Sequence, residues 1–147
     1  MATIVVAADG QWVRDQVRAA LSTSDTTLIE LSRGQDVRDT VATHEPDLAI
    51  LDLQIANMGG IAVALDLHLE ADAGRLPETP ILLLLDREHD RFVAKRADAD
   101  AVLVKPVDAG TLRRTVKDLL AAAAARAEAA DTVEVEVEVE VPEAVEA

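Results

Sequence analysis

Glu45-Pro46-Asp47-Leu48-Ala49-Ile50-Leu51-Asp52, followed by Leu53-Gln54-Ile55-Ala56-Asn57-Met58-Gly59-Gly60, decides the fold. No polar residue interrupts residues 48–51, so this run reads as a strand buried on both faces. It ends on a lone acid, Asp52, and enters a loop closed by two glycines. In open α/β sheets the chemistry gathers outside the carboxyl ends of the strands. Asp52 is therefore the candidate reactive group, and the rest of the chain is read for what converges on it.

Upstream, residues 3–8 form a β-branched apolar run that Asp9-Gly10 ends, which predicts strand one. Trp12, Val13, Val17, Ala20 and Leu21 recur at helical spacing and predict helix one. Residues 26–31 predict strand two. A second helix, with Val37, Val41 and Ala42 inward, stops at Glu45-Pro46 because a residue before proline disfavours the helical region. Downstream of Gly59-Gly60, the apolar positions Ile61, Val63, Ala64, Leu65, Leu67 and Leu69 predict helix three. Pro80 opens strand four, residues 81–85. The segment from Arg87 to Asp98 is weakly helical, with Phe92, Val93 and Ala97 as its apolar side. Residues 101–104 predict strand five, ending at Lys105-Pro106. A last helix begins at Val107, with Leu112, Val116, Leu119 and Leu120 on one face. Five strands alternating with five helices imply an α/β fold: a parallel sheet with helices on both faces and right-handed crossovers. The expected arrangement is the flavodoxin-like, doubly wound order 2-1-3-4-5.

The totals agree with one domain, residues 1–120, and an appendage, residues 121–147. The net charge is -14; residues 1–120 hold 20 acids and 13 bases, and residues 121–147 hold 8 acids and 1 base. The appendage begins as an alanine-rich helix extension and continues as strict Val–Glu alternation, which charge repulsion is expected to leave disordered. An acidic chain without a basic stripe excludes nucleic acid as a partner and disfavours anionic membranes. With no cysteine, disulfides, thiolate metal sites and cysteine nucleophiles are excluded. No leader pattern and no bilayer-length apolar run is visible, so a cytoplasmic protein is expected.

Asp9, Asp52 and Lys105 end strands one, three and five, and the expected strand order brings these tips to one edge. Taken singly, an acid after a strand is ordinarily a turn or helix cap. Together, two neighbouring carboxylates repel unless a cation separates them. A hard divalent ion such as Mg²⁺ suits oxygen ligands, and a lysine offsets charge on the other side. That set suits phosphoryl transfer to a carboxylate. His44, His68 and His89 show no ligand spacing and are expected to face solvent.

Residues 3–120, about four-fifths of the chain, resemble the receiver domain of two-component response regulators. The resemblance rests on the order and spacing of five blocks. They are Ile4-Val5-Val6-Ala7-Ala8-Asp9, Pro46-Asp47-Leu48-Ala49-Ile50-Leu51-Asp52, Asn57-Met58-Gly59-Gly60, Pro80-Ile81-Leu82-Leu83-Leu84-Leu85 and Val104-Lys105-Pro106. It implies that a histidine kinase or phosphotransfer protein phosphorylates Asp52. It further implies Mg²⁺ held by Asp9, Asp52 and the backbone carbonyl of Gln54, Lys105 contacting the phosphoryl group, and a cis bond before Pro106.

The departures from the family pattern matter equally. Ala8 replaces an expected acid, so Mg²⁺ binding should be weak. Leu85 replaces a Thr or Ser whose hydroxyl bonds the phosphoryl group. Asp86 replaces a small residue and either repels a phosphate or substitutes as a metal ligand. Val102 replaces the aromatic switch residue, and Ala56 replaces a proline. Two readings stay open: an atypical receiver that accepts a phosphoryl group on Asp52, and a degenerate receiver that binds proteins without phosphorylation. Neither is an enzyme beyond self-dephosphorylation. A dehalogenase-type phosphatase would need an acid where Gln54 stands, and a flavin protein would need a phosphate-cradling loop. No second core or recognition helix follows residue 120, so output is expected through protein contacts, as in stand-alone receivers. The expected surface is Arg87 to Asp98, Val102 and the start of the last helix. There Arg91, Lys95, Arg96, Arg113, Arg114 and Lys117 would meet an acidic partner or the chain's own tail.

Overall fold

The computed structural model describes residues 1–146, with side chains through residue 130. The strands are β1 (Ala2–Ala7), β2 (Thr26–Leu31), β3 (Leu48–Asp52), β4 (Ile81–Leu85) and β5 (Ala101–Val104). They form one parallel sheet in the order β2-β1-β3-β4-β5, as expected. The helices are α1 (Gln11–Leu21), α2 (Val37–His44), α3 (Gly60–Asp72), α4 (Arg91–Arg96) and α5 (Ala109–Glu146). The expected disorder of the Val–Glu tail falls on residues outside those described with side chains.

Alternation along the central strands builds two cores. Ile4, Val6, Ile50, Leu82 and Leu84 point to one face, where Val13 and Val17 of α1 meet Leu112, Val116 and Leu119 of α5. Ala49, Leu51, Ile81, Leu83 and Leu85 point to the other, where Val37 and Val41 of α2, Val63, Ala64 and Leu67 of α3, and Ala94 of α4 cover them. Both faces being covered, β3 and β4 are buried at every position, which is why they read as unbroken apolar runs.

Of the expected inner face of the fourth helix, Ala97 is buried and Phe92 and Val93 are not. A 3₁₀ turn (Glu88–Asp90) precedes α4 and sets its phase, so Ala94 and Ala97 face the sheet. Phe92 is 66% exposed, and Val93 is exposed beside it. The Arg96 guanidinium lies 5.0 Å from the Phe92 ring centroid, one helical turn away, within cation–π range. Trp12, Leu65, Leu69 and Ala42 are likewise outside, although all four sit at helix-periodic positions. His44 and His89 are exposed, whereas His68 Nε2 lies 3.0 Å from the Asp98 carbonyl.

Candidate functional site

The end of β3 is held by its neighbours before any side chain is considered. The Leu53 amide donates to the Leu84 carbonyl at 2.9 Å, which ties the first loop residue to β4. The Gly60 amide donates back to the Leu53 carbonyl at 3.2 Å, closing the loop at the start of α3. A Cβ at Gly60 would collide with the Asp52 carbonyl, so this close approach requires glycine. The loop is also pinned from the turn after β2: the Gly34 amide donates to the Ala56 carbonyl at 3.1 Å. Asn57 turns the chain with φ 69°, a left-handed conformation that asparagine tolerates.

Asp52 is the only charged or polar residue of the buried set among the described residues, with 2% of its surface exposed. Its Oδ1 accepts from Lys105 Nζ at 2.6 Å and from the Gln54 amide at 3.4 Å. Its Oδ2 accepts no hydrogen bond from a described residue. No fully buried side-chain oxygen among the described residues lacks a partner, so Oδ2 is the oxygen that reaches the open edge.

Lys105 follows β5, where its amide donates to the Leu85 carbonyl at 2.8 Å, and its bond to Pro106 is cis. The side chain is only 10% exposed. Its ammonium binds two carboxylates, Asp52 at 2.6 Å and Asp86 at 2.8 Å. Burial by itself disfavours the charged ammonium, but the two carboxylates outweigh it, and the Lys105 pKa is raised. The Trp12 ring lies 5.9 Å from Nζ and covers one side of the ammonium. Asp86 is 37% exposed and receives the Gln54 amide nitrogen Nε2 on its other oxygen at 3.4 Å. The Lys105 hydrogen bond depresses the Asp86 pKa against the opposing effect of burial.

The structure therefore brings Asp52 and Lys105 together directly. Asp9 joins only through its backbone, its amide donating to the Gln54 carbonyl at 3.1 Å. The Asp9 carboxylate is exposed and has no hydrogen bond or ion pair with a described residue. No group of three acids or histidines close enough to enclose a metal occurs among the described residues. Asp86 turns toward the site and pairs with the lysine. Nothing in the sequence marked Asp86 as a partner of Lys105, because the two meet only when β4 and β5 pair. Arg14 was not anticipated either. Its guanidinium donates to the carbonyls of Ala8 at 2.5 Å and Asp9 at 3.1 Å, fixing the loop where Ala8 supplies no carboxylate. The expected basic surface is divided. Arg91 pairs with Glu88 at 2.5 Å, while Arg113 reaches the Ala20 carbonyl at the end of α1, on the opposite core.

The profile of the response regulator receiver domain matches residues 4–117. An uncharacterised response regulatory protein of Mycobacterium tuberculosis H37Rv is 34% identical over 127 residues, covering 82% of this chain and 92% of that relative. Among solved structures, the receiver domain of a signal transduction histidine kinase from Syntrophus aciditrophicus aligns with a TM-score of 0.73 at 22% identity. That match covers 83% of this chain and 92% of that one. The receiver domain of the sensor histidine kinase PA1611 from Pseudomonas aeruginosa, which carries a magnesium ion in its active-site cleft, aligns with a TM-score of 0.71 at 16% identity. It covers 82% of this chain and 98% of that one. Five parallel strands in this order, an acid buried at the tip of β3 and a lysine from the end of β5 are thus met by sequence similarity along the same residues: the chain belongs to the receiver domain family of two-component response regulators.

Proposed function

We propose that the chain accepts a phosphoryl group on Asp52 and passes the signal on through protein contacts. One observation carries this reading: the two oxygens of Asp52 are differently placed, Oδ1 fixed by Lys105 and Oδ2 free at the open edge. Oδ2 attacks the phosphorus of a phosphohistidine on a histidine kinase or phosphotransfer protein. The new O–P bond forms as the P–N bond breaks, and the imidazole leaves with the electron pair. Lys105 stabilises the charge that gathers on the phosphoryl oxygens. Hydrolysis reverses the modification: water attacks phosphorus, the O–P bond breaks, and the Asp52 carboxylate and inorganic phosphate separate. This is self-dephosphorylation of a signalling domain and not turnover of a substrate.

The donors at the edge are all oxygens and their charge is net negative, which fits a hard divalent cation. Asp9, Asp52 Oδ2 and the Gln54 carbonyl would hold Mg²⁺, weakly because Ala8 adds no carboxylate. When bound, that ion supplies further charge neutralisation to the transferring phosphoryl oxygens. Output is assigned to the surface from Arg87 to Asp98 with the neighbouring part of α5, where Phe92, Val93, Lys95 and Arg96 are exposed.

The degenerate reading has its own support: Asp86 already occupies Lys105, and Leu85 is fully buried with no hydroxyl to offer. Intact-mass measurement after incubation with acetyl phosphate and Mg²⁺ separates the two. A phosphoryl mass gain that disappears in Asp52→Ala supports phosphoacceptance. No gain, together with no measurable Mg²⁺ binding, selects the degenerate reading.

A further inference from the structure

The Asp86 carboxylate stands where a phosphoryl group on Asp52 would claim the same ammonium. Lys105 Nζ is 2.6 Å from Asp52 Oδ1 and 2.8 Å from Asp86 Oδ1. Phosphorylation replaces one negative charge on Asp52 with about two, beside an ammonium whose side chain is largely buried. Of the two carboxylates, Asp52 is buried and held by the β3 loop, whereas Asp86 is the more exposed and has only a long contact to Gln54 on its far side. Asp86 is therefore the group that yields.

What Asp86 is attached to gives its release a consequence. It is followed immediately by a self-bonded turn. The Asp90 amide donates to the Arg87 carbonyl at 3.0 Å, and the Arg87 amide donates to Asp90 Oδ2 at 3.1 Å. The next residue, Arg91, starts α4 and is paired to Glu88 across the turn. The turn leads into α4, which carries the exposed Phe92 and Val93. The hydroxyl and the aromatic through which the family couples its site to this face are absent at Leu85 and Val102.

Resting on the phosphoacceptor reading, we propose that Asp86 is a positioning residue that holds Lys105 in the resting state and is expelled when Asp52 is phosphorylated. The displaced residue then loosens the Glu88–Asp90 turn at the start of α4. The coupling works by repulsion and so needs no hydroxyl.

The test uses the full chain with acetyl phosphate and Mg²⁺, comparing wild type with Asp86→Asn, Asp86→Ala and Asp86→Glu. Intact mass gives the phosphorylation rate, and amide hydrogen exchange reports residues 86–92. Asp86→Asn keeps the shape and loses the charge, so it should gain phosphoryl about five- to tenfold faster than wild type. Asp86→Ala should match it, and Asp86→Glu should stay near wild type. In the wild type, exchange of the turn should rise on phosphorylation; in Asp86→Asn it should be raised beforehand and change little. Acceleration in Asp86→Ala alone would indicate steric blockage and overturn the proposal. Equal rates in all variants, or a turn whose exchange ignores phosphorylation, would also overturn it while leaving phosphoacceptance intact. No mass gain in any variant would remove both.

Discussion

Lys105→Met tests the electrostatics of the site without asking it to do chemistry. Methionine keeps most of the length of the buried stem, and it removes the charge. Asp52, 2% exposed, then loses its only charged partner among the described residues. At 2.6 Å, the direct attraction is about 6 kcal/mol in a medium of effective dielectric constant 20, before desolvation is subtracted. Breaking a buried pair by removing one partner costs about 3–5 kcal/mol, because the other charge stays behind. Here the lower end applies, since Oδ2 reaches the open edge and the Gln54 amide still donates to Oδ1. A loss of about 3 kcal/mol at pH 7, with a urea slope of about 1.5 kcal/mol per M, lowers the denaturation midpoint by about 2 M. The reverse change is predicted to be mild. Asp52→Asn leaves Lys105 paired with Asp86 and relieves the repulsion between two carboxylates, so its cost is about 1 kcal/mol or less. The double variant should recover about 2 kcal/mol relative to Lys105→Met alone, which corresponds to a coupling of about 2–3 kcal/mol in a double-mutant cycle. Urea titration followed by the fluorescence of the single tryptophan or by circular dichroism supplies all four values. A Lys105→Met midpoint within measurement error of wild type would refute the reasoning, and so would an Asp52→Asn loss as large as that of Lys105→Met.

Asp86 has a depressed carboxyl pKa in the folded state, so its pairing adds stability above the ordinary carboxylate range and loses it as pH falls through the depressed value. Asp86→Asn should therefore flatten the acid limb of the stability curve, by about 1 kcal/mol or less because the group is partly exposed; an unchanged limb in urea titrations from pH 7 to pH 2 would contradict the pairing. Gly60→Ala should cost about 1–3 kcal/mol and disturb phosphoryl uptake, because its Cβ meets the Asp52 carbonyl, while Gly74→Ala meets no atom and pays only for its φ of 76°. Thermal denaturation ranks the two, and the opposite order would count against the glycine argument. Leu83→Ala, at a fully buried position of a central strand, should cost about 2–5 kcal/mol in urea denaturation. Leu85→Thr should also destabilise, by about 1–3 kcal/mol, since it places a hydroxyl among apolar side chains; an unchanged midpoint would mean that the hydroxyl finds a partner there.

Period and punctuation are local properties, and they made the fold legible. The unbroken runs at residues 48–51 and 81–85 could be covered on both faces only in a parallel sheet, and the crossover rules left few strand orders. The same logic placed Asp52 and Lys105 at one edge before their distance was known. It failed on the fourth helix, where Phe92 and Val93 look like the buried stripe. The phase of a six-residue helix is set by the turn before it and by the room above the sheet, and only Ala94 and Ala97 fit there. Sequence singled out Asp52 as the reactive acid and Asp9 as a metal ligand, and left Asp86 as a departure whose partner it could not name. Tertiary structure separated them. Pairing of β4 with β5 put one ammonium between Asp52 and Asp86, and burial made the first a fixed partner and the second a releasable one. Asp9 stands at the rim, its amide bonded to the Gln54 carbonyl and its carboxylate exposed. Which charges share a counter-ion depends on distances between strand ends that lie 19 to 53 positions apart in the chain, and no local pattern encodes those distances.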